Sequence, residues 1–69
     1  MTPNQKTMFS LLHAAGRLKV DDWNEQARSA GIGVKRRADL IDIRMALKDK
    51  RLIKLVGNEE WGVDHEHHA

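Results

Sequence analysis

The stretch Leu52-Ile53-Lys54-Leu55-Val56-Gly57-Asn58-Glu59-Glu60-Trp61-Gly62-Val63 decides how this chain is to be read. Leu52 to Val56 is apolar and β-branched, and Gly57-Asn58 supplies a turn. Glu60 to Val63 then returns, so the segment predicts a β-hairpin. Two strands alone make a poor sheet, which sends the search upstream for a third. Arg17-Leu18-Lys19-Val20 alternates polar and apolar residues and reads as a very short strand over 18–20 that can join the hairpin.

The rest of the chain is helical in pattern. Thr2-Pro3-Asn4-Gln5 carries a Thr-x-x-Gln capping box with proline at the first helical position. Met8, Leu11, Leu12 and Ala15 follow at helical spacing, and Gly16 stops a first helix spanning about 3–15. Asp21 is placed to cap a second helix, about 22–30, with Asp22 and Glu25 in its first turn. Trp23, Ala27 and Ala30 share one face of it, and Gly31 ends it. Ala38, Leu40, Ile43, Ala46 and Leu47 mark a third helix, about 36–50.

The order helix, short strand, helix, turn, helix, hairpin resembles the winged helix-turn-helix fold over residues 3–63. Leu18 to Gly33, with Asp22-Trp23 and Ala27-Arg28-Ser29-Ala30-Gly31-Ile32, looks like the middle of small winged-helix modules of phages and plasmids. Such modules are often appended to replication ATPases or primase-helicase proteins. Ala46-Leu47-Lys48-Asp49-Lys50-Arg51-Leu52-Ile53 is similar to the usual exit from a recognition helix into the wing. Ala27 and Gly31 match the Ala-x-x-x-Gly spacing of many helix-turn-helix units, where a small residue lets helices approach and glycine permits the turn. About three extra residues before helix 3 depart from that pattern and predict a longer loop over Gly33–Lys35. The implied fold is α+β, mainly helical, with three helices, a short strand and a C-terminal hairpin wing. Residues 1–63 form this domain, and 64–69 are expected to be a disordered acidic, histidine-bearing tail.

Charge is distributed unevenly along the chain. The 69 residues carry a formal net charge of +2. Lys35, Arg36, Arg37, Arg44, Lys48, Lys50, Arg51 and Lys54 outnumber Asp39, Asp42 and Asp49 in the block 35–54, which is +5. Residues 55–69 hold four acids and no Lys or Arg, and are −4. Local basic clustering, rather than net charge, is the footprint of a surface that meets phosphates. The bland alternative is a solvated helix face laced with salt bridges.

Three cations at the start of a helix oppose the positive end of its dipole, at about 0.3–1 kcal/mol each. A sequence tuned only for stability would place acids there. By the resemblance, Lys35, Arg36 and Arg37 would stand where the motif's second helix enters the major groove, with arginine pairing to guanine and lysine neutralising phosphate. Arg44 and Lys48 lie four apart, share a face with Arg37, and extend a basic stripe towards Arg51 and Lys54. The expected DNA-binding set is therefore Lys35, Arg36, Arg37, Arg44, Lys48, Arg51 and Lys54. Duplex DNA is the expected partner. Ile41 and Met45 lie off the Leu40–Ile43–Leu47 face. They read either as core, with helix 3 buried on several sides, or as a seam for a homodimer or a protein partner. Trp23 and Trp61 read as core, Trp61 covering helix 3. The tip Gly57-Asn58-Glu59-Glu60 would repel phosphate, so wing contact is expected to be weak.

Several function classes drop out. Zero cysteines exclude a disulfide scaffold, a thiolate metal site and a cysteine nucleophile. No nucleophile elbow or phosphate loop is present, so catalytic residues, cofactors and metal ligands are all expected to be none. His65, His67 and His68 form a histidine cluster with no second ligand group, since His13 is remote. The absence of a signal pattern or membrane-length apolar run leads us to expect a cytoplasmic protein. Two readings remain. One is a small transcription regulator or replication accessory factor that binds duplex DNA. The other is a winged-helix protein-interaction adaptor using Ile41, Met45 and the acidic wing.

Overall fold

The computed structural model describes residues 1–64. Among them the chain forms α1 (Pro3–Ala15), β1 (Arg17–Lys19), α2 (Val20–Ser29), α3 (Ala38–Asp49), β2 (Ile53–Gly57) and β3 (Glu60–Val63). This is a small α+β domain, mainly helical, with one antiparallel sheet in the order β1-β3-β2. A third strand is present, at Arg17–Lys19 rather than the expected 18–20 because Val20 begins α2: Leu18 pairs with Trp61, and Leu55 pairs with Trp61 from the other side. Residues directly opposite on antiparallel strands share a sheet face. Leu18, Trp61 and Leu55 therefore lie on one face, while Arg17, Gly62 and Lys54 lie on the other.

The first helix follows its capping signal. The Gln5 N–H donates to Thr2 Oγ1 at 3.2 Å and the Thr2 N–H to Gln5 Oε1 at 3.4 Å, a reciprocal capping box. The same Gln5 Oε1 accepts from Lys50 Nζ at 2.7 Å, tying the start of α1 to the end of α3.

Other boundaries differ from expectation, each for a physical reason. Helix α2 begins at Val20, not Asp22, and Asp21 is not its cap. The Val20 N–H is instead satisfied at 2.8 Å by Glu59 O, from the hairpin tip, so a tertiary contact replaces a side-chain cap. Helix α3 spans 38–49 rather than 36–50, because its amino end begins after the three cations and places Asp39 in the first turn. The hairpin turn is Asn58-Glu59, with Gly57 paired to Glu60 and Val56 bulged between Leu55 and Gly57.

Helix α2 closes with a Schellman motif: Gly31 N–H bonds Arg28 O at 2.9 Å and Ile32 N–H bonds Ala27 O at 2.9 Å. Gly33 follows at φ +75°, where an added Cβ would stand 2.5 Å from Leu40 Cγ. Only glycine fits there, and it seats Ile32 in the core ahead of a long loop to α3. The loop is longer than the expected Gly33–Lys35, and Lys35, Arg36 and Arg37 all belong to it.

The core is Met8, Leu12, Trp23, Ala27, Ile32, Leu40, Leu47, Ile53 and Trp61, with both tryptophans inside as expected. Trp23 is fully buried and its Nε1–H donates to Met8 O at 3.0 Å, so its polar end is satisfied against α1. No helix among the described residues is long and apolar enough to cross a membrane.

Candidate nucleic-acid interface

The basic residues fall into two exposed groups, one at each end of α3. At the amino end, Lys35, Arg36 and Arg37 are exposed on the loop. Arg36 Nε stands 3.8 Å from Asp39 Oδ1, at the outer limit of an ion pair, with both side chains largely solvated. Such a pair contributes little. Among the described residues, Lys35 and Arg37 have no carboxylate partner within 4.0 Å. Arg37 also lines a cleft of about 200 Å³ with Arg28 and Asn24 of α2 and Leu40 and Ile41 of α3. Arg28 therefore joins the amino-terminal group, although the charge reading did not single it out. Its signal was present in the spacing: Asn24 and Arg28 lie four apart, on one face of α2.

At the carboxyl end, Lys48 sits in the last turn, where a cation complements the helix dipole. Arg51 follows in the left-handed region, at φ +61°. Its N–H bonds Lys48 O at 2.9 Å while the Leu52 N–H bonds Leu47 O at 3.1 Å, so arginine occupies the Schellman position that glycine normally takes. A non-glycine residue there costs about 1 kcal/mol. Replacing Arg51 with glycine is accordingly expected to raise stability by about 0.5–1 kcal/mol in a urea melt.

Lys54 is exposed but lies on the outer face of the sheet, with Arg17 and Lys19. The hairpin is less acidic than its sequence implies. Arg17 Nε and Nη2 donate to Glu60 Oε2 and Oε1 at 3.1 and 3.0 Å, a bidentate pair that leaves Glu59 as the acid at the tip.

Arg44 does not join the basic stripe. It is 5% exposed, its Nη2 donates to Asn24 Oδ1, and its guanidinium carbon lies 5.2 Å from the centroid of the Trp23 ring. The spacing of seven from Arg37 suggested an exposed face. Leu40, Arg44 and Leu47 have the 4-and-3 spacing of a core stripe, and that relation prevails. Ile41 and Met45 are not buried either: they are 56% and 38% exposed, on the helix face that Arg44 leaves to solvent.

Among the described residues, no group of three His, Asp or Glu side chains could hold a metal ion. The histidine cluster His65, His67 and His68, and the expected tail beyond Asp64, lie outside the described residues. Asp64 itself is tied to the fold, its N–H bonding Leu52 O at 2.9 Å.

Fold and site together define a small α+β domain that presents an exposed basic loop ahead of its third helix. Comparison with protein-family models, curated proteins and solved structures gives no match to the chain.

Proposed function

We propose that this chain is a winged helix-turn-helix domain that binds duplex DNA, chiefly through phosphates, with the cations at the two ends of α3. The carrying observation is the exposed run Lys35, Arg36 and Arg37 before α3, of which only Arg36 lies within 4.0 Å of a carboxylate. The element order and the strand order β1-β3-β2 support the fold reading, with β2 and β3 as the wing. Lys35, Arg36 and Arg37 grip one phosphate wall of a groove, while Lys48 and Arg51 reach the other. A helix carries its ends about 1.5 Å apart per residue, so these groups stand ~20 Å apart along α3, enough to bridge a groove ~12 Å wide. The helix face between the two groups carries Ile41, Asp42 and Met45 and offers few donors to base edges, so binding tolerates many sequences. A small transcription regulator or replication accessory factor of a phage or plasmid would use such a domain.

A fluorescence-anisotropy titration with a mixed-sequence duplex tests this. With about five phosphate contacts, log K should fall against log salt with a slope near −4.5. The absence of any binding at ~50 mM salt sinks the proposal.

The second reading, a protein-interaction adaptor, is favoured by the outward Ile41 and Met45. Reversing the loop cations would leave such binding unchanged.

A further inference from the structure

The groove between the middle of α3 and the β2–β3 hairpin contains a charge that duplex binding does not use. Arg44 lines this groove together with Val20, Met45, Leu55, Asn58, Glu59 and Trp61. Its guanidinium is buried, and its Nε has no hydrogen-bond partner. No carboxylate lies within 4.0 Å of it among the described residues. Arginine stays charged at physiological pH, and a buried charge without a counter-ion is costly. Desolvation lowers its pKa from the ordinary value, the direction expected of a cation buried without an opposite charge. Asn24 and the Trp23 ring offset part of that cost, but both are neutral.

Around Arg44 the groove is apolar. Leu55 is 57% exposed and Met45 38% exposed, and both line the groove. The volume, about 390 Å³, lies within the ~300–1,000 Å³ usual for ligand clefts. We propose that this groove docks an acidic peptide segment of a partner protein, whose carboxylate pairs with Arg44 while flanking apolar side chains cover Met45, Leu55 and Trp61.

Charge complementarity selects that occupant. The unpaired cation asks for an anion, and the apolar walls ask for aliphatic or aromatic neighbours to it. A duplex is a poor fit, because its backbone is too wide to bring a phosphate to a buried guanidinium and Glu59 in the lining repels it. A flexible peptide can place a single carboxylate beside Arg44 while Glu59 is kept at a distance from it. Met45 borders both this groove and the helix face between the two groups of exposed cations, but none of those cations lines the groove.

The test titrates the isotope-labelled full chain with the N-acetylated, C-amidated peptide Leu-Asp-Leu-Phe-Asp-Leu, and with its analogue in which both Asp are Asn. Chemical shifts should move at Val20, Met45, Leu55 and the Trp61 indole, and the Asn analogue should bind at least about tenfold more weakly. Arg44→Met should lose at least about tenfold in affinity while its unfolding midpoint stays level or rises, which a purely structural arginine would not do. Glu59→Gln should bind more tightly. If Arg44→Met does not fold, Leu55→Glu at the exposed wall carries the test and should lose affinity to the same degree. Four results would each overturn the proposal. The first two are equal binding of the Asp and Asn peptides, and binding of neither at ~1 mM. The others are groove shifts produced by a duplex, and groove shifts that grow with protein concentration alone and so place a second copy in the groove.

Discussion

Replacing Trp23 with alanine is expected to leave the chain largely unfolded in water at room temperature. Trp23 is fully buried and is the largest of the fully buried side chains. Truncating a buried tryptophan costs about 3–5 kcal/mol. A chain of 69 residues has a total stability of only about 3–10 kcal/mol at ordinary values per residue. Two further losses fall on the same side. The Nε1–H bond to Met8 O disappears, and Arg44 loses the ring that lies 5.2 Å from its guanidinium carbon. Trp23→Phe separates these contributions. It keeps a ring beside Arg44 and most of the volume, so a cost of about 1–2 kcal/mol and a cooperative melt are expected. Far-ultraviolet circular dichroism in a urea series decides the matter. A Trp23→Ala chain whose midpoint lies within ~0.5 M of the parent would show that α1 and α2 do not depend on this contact.

How far the fold could be read ahead of its coordinates depended on where each signal lay. Helix α1 has its bounds because Thr2, Pro3, Gln5 and Gly16 are local signals, and the distant bond from Lys50 Nζ to Gln5 Oε1 leaves the capping box in place. Helix α2 starts two residues early because its first donor is met by Glu59 O, nearly forty residues away in sequence. Spacing rules carry no information about such a contact. The third strand was legible as an alternation, but its place beside β3 rather than β2 was fixed only by pairing. The candidate site divides in the same way. The charge of Lys35, Arg36 and Arg37 was plain in the sequence. Their loop conformation follows from a helix that begins only after them. Arg44 belongs equally to the Arg37–Lys48 face and to the Leu40–Leu47 stripe by spacing. Only packing against Trp23 and Asn24 chooses between the two, and that choice turns a surface contact into the buried charge of the groove.

The double reversal Arg36→Glu and Arg37→Glu is expected to abolish most duplex binding while making the domain slightly more stable. Both side chains are exposed, and only the weak Arg36–Asp39 pair is lost. Carboxylates at the amino end of α3 complement the helix dipole, worth about 0.3–1 kcal/mol each, so the melting temperature should hold or rise. Binding moves the other way. Each reversal removes one phosphate attraction and installs one repulsion, a swing of about 2 kcal/mol at contact distance in water. Two swings, reduced by screening over ~8 Å at physiological salt, predict a loss of about 100- to 1,000-fold. The salt slope should fall by about 1.8, from near −4.5 to near −2.7, because two counterion-releasing contacts are gone. Opposite signs make the outcome hard to mistake, since a general loss of folding would lower stability and affinity together. Unchanged affinity in a stable double variant would remove the loop from the interface and leave the outward Ile41 and Met45 as the surface the domain uses. Unchanged affinity for the acidic peptide in that same variant is also required, because neither Arg36 nor Arg37 lines the groove.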